Sequence, residues 1–374
     1  METDALVKVA AAQRRSPDRE GDFQRVRQAL GDAVMETTAR GLVAGGDSLE
    51  LLRQMPPNSI SLIVTDPPYH STKKANITGD TVFPVDEHYL AWIEDYACEW
   101  HRVLRQNGSL YLFCASEMAA RLEVRVSDHL RPLGHVTWTK PNDPGFDGWK
   151  GKMRKEALRR WYPHSERILF FEQAARGHER RSTLGSFLRS VRLQAKLSAH
   201  ELTELTGAYR KINHGGAVSN WETGRNIPSR EQYLKIAAVL EATGRVGPLP
   251  PYEDVVRPFF VTGEVPFTDT WHFPSVRVYR GKHPAEKPVD LLTHIVETSS
   301  YEGDIVLDCF SGSGSTLEAA VKVNRRCVGL ELEPRWVDRS SERLVGADRQ
   351  SAVTTLRQFA SRRQTRDEGS EPLF

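Results

Sequence analysis

Two short runs of this chain carry residues whose types and spacing can do chemistry. The first is Asp66-Pro67-Pro68-Tyr69, which closes the apolar run 62–64. Proline donates nothing to a sheet ladder, and a carboxylate at the end of a buried strand is costly to desolvate. One reading is a turn, for which Asp-Pro-Pro is good chemistry. The other is a pocket that gathers a charged acceptor, a rigid backbone and an aromatic face. The second run is GDIVLDCFSGSGSTLEAA at 303–320. A strand ends in Asp308, a loop with Phe310, Ser311, Gly312 and Gly314 follows, and a helix begins. Gly312 and Gly314 allow backbone to approach a ligand closely. The spacing is neither G-x-G-x-x-G nor a P-loop. The next strand, RCVGLELE, ends in acids, and an acid there is placed to hold the two hydroxyls of a ribose. Glu331 is the choice and Glu333 the alternative. Alone, this run says nucleotide-like ligand or tight strand-to-helix turn.

Strands and helices must position these groups. From Gly41 the chain reads as a strand, a helix from about Ser48, a turn at Pro56-Pro57-Asn58 and a strand at 62–64. A helix over 88–104 and strands at GSLYLFCAS, HVTWTK and RILFFE continue the alternation. That pattern predicts an α/β sheet with a strong parallel component. Over 184–243 the periodicity is helical only. LGSFLRSVRLQAKLSAHELTELTG suits two helices, the second opened by Ser198 with Glu201 three residues on, a capping box. AVSNWETG suits a third and SREQYLKIAAVLEATG a fourth, with Leu202, Leu205 and Trp221 as a small core. The α/β pattern then returns. His164 and Glu166 read as an orienting or buried polar pair with no catalytic role.

The bulk numbers exclude little. Of 374 residues, 51 are Lys or Arg and 49 Asp or Glu, so a net charge of +2 announces no nucleic-acid partner by itself. Cys98, Cys114, Cys309 and Cys327 form no C-x-x-C pair and read as free core thiols in a reducing compartment, with no metal site. Neither a secretory leader nor an apolar run of membrane-spanning length is visible, so a cytoplasmic protein is expected.

Together the stretches resemble the S-adenosylmethionine-dependent amino-methyltransferases of DNA. DPPY is similar to their catalytic motif. DCFSGSGST is similar to the F-x-G-x-G cofactor motif, with Phe310, Gly312 and Gly314 at matching positions, and HPAEKP at 283–288 to the motif before it. The order of catalytic motif, recognition region and cofactor motif resembles the β group, a circular permutation of the common fold. The resemblance covers about 41–174 and 283–344. It implies a circularly permuted Rossmann-like sheet with S-adenosylmethionine as cofactor. Asp47, His283, Lys287, Asp308, Phe310, Ser311, Gly312, Gly314 and Glu331 would surround it. Asp47 would accept from the amine of the cofactor's adenine, or else cap the SLELL helix, and one residue does not easily do both. Asp66, Pro67, Pro68 and Tyr69 form the implied catalytic set. The Asp66 carboxylate and the Pro67 carbonyl would accept both hydrogens of the target amine and point its lone pair at the methyl. Tyr69 would stack on a flipped base, worth ~1–3 kcal/mol. The implied substrate is the N6 amine of adenine in duplex DNA. An N4-cytosine enzyme, or a DNA-binding regulator with an inactive methyltransferase body, is the alternative.

The helical stretch resembles a Cro/repressor-type helix-turn-helix module with AVSNWE as its recognition helix. It departs in AYRKINHGG, longer than the usual turn. Expected DNA contacts are Arg210, Lys211, Asn213, Ser219 and Asn220, with Lys150, Lys152 and Arg154 on phosphates. Lys73 and Lys74 would close on DNA. The implied division is an N-terminal extension (1–40), a catalytic half (41–175), the helix-turn-helix module (176–247), a linker and recognition region (248–282), a cofactor half (283–345) and a mobile tail (346–374). Expected partners are double-stranded DNA and a cognate restriction or defence nuclease, with no membrane, for a monomer or homodimer.

Overall fold

Apolar strands joined by amphipathic helices build the chain into one sheet. The structure, a computed structural model, describes residues 18–69, 83, 85–140, 156, 158–159, 161, 164–173, 182–208, 216–261 and 266–367, with side chains as far as 353. Among them the strands are β1 (Val34–Thr37), β2 (Gly41–Gly45), β3 (Ile60–Thr65), β4 (Leu104–Cys114), β5 (Leu130–Thr139), β6 (Ser165–Gln173), β7 (Thr270–His272), β8 (Ile305–Asp308) and β9 (Arg326–Glu331). Their order in the sheet is β1-β2-β9-β8-β3-β4-β6-β5-β7. The run from β2 to β4 is parallel, β6 is antiparallel to both β4 and β5, and β1 is antiparallel to β2. Every residue of β3 and β8 is buried, as strands covered on both faces must be, and this is why they read as unbroken apolar runs.

The helices are α1 (Arg19–Leu30), α2 (Ser48–Gln54), α3 (Asp86–Val103), α4 (Ala119–Val126), α5 (Thr183–Gln194), α6 (Ala199–Thr206), α7 (Gly216–Glu222), α8 (Arg230–Ala242), α9 (Tyr252–Val255), α10 (Val289–Ser299), α11 (Ser315–Lys322) and α12 (Pro334–Asp367). The first four cover one face of the sheet through Phe23, Leu52, Trp100 and Leu122. The last three cover the other through Ile295, Leu317 and Leu344.

Both chain ends differ from expectation. Residues 18–40 do more than extend the chain. Phe23, Val26 and Leu30 of α1 fall on one helical stripe and are buried, and β1 adds an edge strand. Arg19 Nε donates to Asp304 Oδ1 at 2.5 Å, with both side chains nearly sealed from water. Arg19→Met leaves that carboxylate buried and uncompensated. The expected cost is about 3 kcal/mol of global stability, read by urea denaturation; an unchanged midpoint would show that the Arg19–Asp304 pair adds nothing to it. Nor is 346–374 simply a tail. α12 continues to Asp367, Ala347 is buried, and Asp348 pairs with Arg40 at 3.3 Å.

The middle helices form their own core around Leu188, Leu202, Trp221 and Tyr233, with a buried ion pair between Arg192 and Glu222. The Ser198–Glu201 capping box forms as the sequence predicts, and Ser229 with Gln232 makes a second. Leu205 is the exception: it is exposed, because the inward stripe of α6 carries Leu202, Thr203 and Thr206. The stretch 248–282 is more than a linker. Leu249, Val255 and Val256 complete this small core, and β7 extends the sheet. Cys114, Cys309 and Cys327 are buried thiols, but Cys98 is exposed and not part of the core.

The helical unit is fastened where the parallel strands begin. Asn107, early in β4, donates to the carbonyls of Glu253 and Val256. Thr183 donates to Gln173 O, and Arg257 pairs with Glu172 at 2.9 Å. The reactive ends of β3 and β8 lie at the opposite edge of the sheet.

Candidate active site

Parallel neighbours end at the same edge, so the groups that follow β3 and β8 meet there. Between them lies a cleft of about 570 Å³ lined by Asp47, Asp66, Tyr69, His283, Phe310 and Glu331, among others.

On the β8 side, carboxylates hold backbone. Asp308 Oδ1 accepts from Phe310 N at 3.1 Å and from the Thr65 hydroxyl at 3.3 Å, while Oδ2 accepts from the Thr316 hydroxyl at 2.6 Å. Burial pushes its carboxyl up to about 7. Asp308 therefore braces the loop and ties it to β3. Gly312 takes φ +50°, and its amide donates at 2.8 Å to Glu331 Oε2. Glu331 Oε1 accepts from the amides of Leu332 and Glu333 at 3.0 and 2.9 Å. Gly314, at φ +79°, opens α11 so close to Ser340 that a Cβ would lie 3.1 Å from its Cα. Ser311 is buried in the same wall. The His283 ring stands edge-on to Trp336 at 4.5 Å, and burial pulls its pKa down to about 4, so it is neutral at physiological pH. Phe310 packs on Tyr96 and Trp92 at 5.2 and 5.7 Å. Asp47 is the N-cap of α2: its Oδ1 accepts from Leu49 N at 2.9 Å and Glu50 N at 3.1 Å, while the residue also lines the cleft.

On the β3 side the structure adds groups that sequence reasoning missed. The Lys287 ammonium makes a close ion pair with Asp66 Oδ2 and lies 3.6 Å from Glu166 Oε2. Lys287, expected beside the cofactor, thus pairs with Asp66. Its charge also sits over the rings of Phe113 and Tyr69, at 5.2 and 5.5 Å. Glu166 is no mere partner of His164. It accepts from the Tyr69 hydroxyl at 3.3 Å and pairs with Lys140 at 2.5 Å. An acid beside the apolar run of β6 was the available signal, of the same kind that marks Asp66 on β3. Lys140 gave none, because its place follows from the β5–β6 register, in which Trp138 faces Glu166.

Burial pushes the Asp66 carboxyl above its ordinary value against the pull of Lys287. Burial would also raise Glu166, but Lys287 and Lys140 outweigh it and hold that carboxyl low. Burial works against the Lys287 ammonium, yet Asp66 and Glu166 raise its pKa overall. Asp66 Oδ1 is buried and accepts no hydrogen bond among the described residues. One oxygen of the Asp66 carboxylate is therefore unpartnered in the wall of the cleft.

Ser219 and Asn220 lie on α7, partly exposed, and their carbonyls accept from the Thr223 hydroxyl. Lys73, Lys74, Lys150, Lys152, Arg154, Arg210, Lys211 and Asn213 lie outside the described residues. No helix among the described residues is long and apolar enough to cross a membrane.

A buried acid and an aromatic ring beside a glycine cradle, at the carboxyl edge of a parallel α/β sheet, define a methyltransferase-like site. Residues 60–342 match the N6_N4_Mtase family, described as DNA methylase, and the chain belongs to that family. It is an S-adenosylmethionine-dependent DNA methyltransferase. A similar protein is the DNA adenine methyltransferase YhdJ of Escherichia coli K12, 26% identical over 310 residues, 82% of this chain and 83% of that one. Another is the type II methyltransferase M.BglII of Bacillus subtilis, 24% identical over 337 residues, 86% of this chain and 74% of that one. Among solved structures, the cytosine-N4-specific PvuII DNA methyltransferase aligns with TM-score 0.49 at 18% identity, covering 86% of this chain and 95% of that one.

Proposed function

We propose that the protein methylates the N6 amine of an adenine flipped out of duplex DNA. The observation that carries this reading is the unpartnered Oδ1 of Asp66, buried in the wall of the cleft beside the glycine loop. The adenine choice draws on DPPY and on the Escherichia coli relative, a DNA adenine methyltransferase.

The cradle fits S-adenosylmethionine. Gly312 presents bare backbone where a Cβ would meet the His283 ring at 3.3 Å, Glu331 supplies a carboxylate for hydroxyl groups, and Asp47, whose Oδ1 caps α2, has only Oδ2 to offer an amine. When bound, the cofactor supplies an electrophilic methyl on sulfonium. The protein's part is to hold the nucleophile. The target amine is a weak nucleophile because its lone pair is delocalised into the ring. Asp66 Oδ1 and the Pro67 carbonyl accept its two hydrogens and favour a pyramidal nitrogen, with Pro68 keeping that backbone still. Tyr69 offers a face for the base. A neutral His283 would add no like charge to a cleft that holds a cationic cofactor.

The remaining assignments belong to the same reading. Glycine loop and catalytic motif sit on adjacent strands in reversed chain order, as a circular permutation of a Rossmann-like sheet requires. The body is then 18–173 with 266–367, and 182–256 is a helix-turn-helix module whose α7 carries Ser219 and Asn220 toward DNA. The type II relatives support a cognate restriction nuclease as partner.

The test is transfer of labelled methyl to duplex DNA followed by nucleoside analysis. The expected product is labelled N6-methyladenine. Labelled N4-methylcytosine would replace adenine by cytosine, and unlabelled DNA would overturn the proposal.

A further inference from the structure

We infer that Lys287 and Glu166 are positioning residues for Asp66: Lys287 occupies Oδ2 so that Oδ1 alone faces the incoming amine, and Glu166 limits how tightly Lys287 holds it. The inference rests on the reading of Asp66 as the acceptor for the target amine.

The geometry is a row of alternating charge, Lys140–Glu166–Lys287–Asp66, that ends at the cleft. Lys287 is 8% exposed. Its backbone is pinned by Pro288, the N-cap of α10, and its Nζ lies 3.4 Å from Ala285 O. The ammonium is thus held inside the protein, away from solvent. A carboxylate as buried as Asp66 would take up a proton if left alone, and a protonated acid offers the amine a weaker acceptor. Lys287 opposes this. Lys287 alone, however, would draw the carboxylate's charge toward Oδ2 and leave Oδ1 a weaker acceptor for the amine. Glu166, 3.6 Å away, shares the ammonium, and Lys140 in turn balances Glu166.

The titratable and charged groups facing Asp66 are Lys287, Glu166, Tyr69, Cys114, Asp308 and, one step further, Lys140. Burial pushes the Cys114 thiol up to about 12 and the Tyr69 phenol well above its ordinary value, so both stay neutral near pH 7. Asp308 titrates near neutrality, and its loop bears on the cofactor, so cofactor affinity must be followed at each pH.

The signs are opposite for the two residues. Removing the Lys287 charge raises the Asp66 pKa, so Lys287→Gln moves the acid limb of the single-turnover rate up by about one pH unit and slows transfer about 100-fold. Removing the Glu166 charge lowers the Asp66 pKa, so Glu166→Gln moves that limb down while slowing transfer about tenfold. Lys287→Arg returns the limb toward the wild-type pH. Cofactor Kd stays within about threefold in all three. The experiment measures single-turnover rate and cofactor Kd against pH. In parallel, ¹³C NMR follows the Asp66 carboxyl in the apoenzyme. Limbs moving in the same direction, or not at all, would overturn the inference. So would a Kd that rises with the loss of rate, which would return Lys287 to the cofactor. Should Lys287→Gln fail to fold, the downward limb of the near-isosteric Glu166→Gln decides alone. If wild type labels no DNA, the adenine reading falls while the NMR titrations still decide the positioning roles.

Discussion

Asp66→Ala lowers the single-turnover rate of methyl transfer by at least about 10³-fold and changes cofactor Kd by less than about threefold. The rate falls because one of two acceptors disappears. The Pro67 carbonyl can take one amine hydrogen, but holding the nitrogen pyramidal needs both. The loss is also one of charge, since a carboxylate stabilises the amine as it becomes cationic and a carbonyl does so less well. Cofactor affinity is spared because the cradle is braced elsewhere, by Asp308 on Phe310 and Thr316 and by Glu331 on Gly312. Folding is spared because Lys287 keeps Glu166 within 3.6 Å, so no orphan ammonium remains. Labelled-methyl transfer and calorimetric cofactor binding on the same preparation check both halves. A variant transferring within tenfold of wild type would remove Asp66 from the chemistry.

Gly312→Val has the second-largest expected effect, in the other half of the cleft. Cofactor Kd rises by about 100-fold, about 2.7 kcal/mol. At φ +50° a β-branched side chain costs roughly 1–2 kcal/mol in backbone strain. Its Cβ would also press on the His283 ring at 3.3 Å, and that ring backs onto Trp336. The wall and the amide that Glu331 holds are then displaced together. Gly314 is a poorer probe, because its Cβ would strike Ser340 backbone and disturb α12. Titration with the cofactor, using protein fluorescence, reads the change; an unaltered Kd would place the ligand elsewhere.

The parts of this molecule legible in its sequence are those governed by local pattern. β3 and β8 could be read because strands buried on both faces leave continuous apolar text. The loop at 310–314 could be read because positive φ demands glycine, and the Ser198 capping box because its partners are three residues apart. What could not be read depends on contacts far apart in the chain. The charge of α1 conceals Phe23, Val26 and Leu30, and Arg19 finds Asp304 285 residues away. Lys140 meets Glu166 only through an antiparallel register. Leu205 is a leucine on the wrong side of a helix stripe. Whether Lys287 turns to the cofactor or to Asp66 is set by where the turn before α10 meets the end of β3, and no local spacing encodes it.

The hydrogen bond from Thr65 to Asp308 joins the residue before Asp66 to the residue that braces the glycine loop. Together with the pairing of Leu62 and Ile63 to Val306 and Leu307, it makes donor cradle and acceptor a single rigid gauge. Under the proposed function, the span between methyl donor and acceptor is then set within the protein's own sheet, by neighbouring strands and not by the loops that would meet DNA.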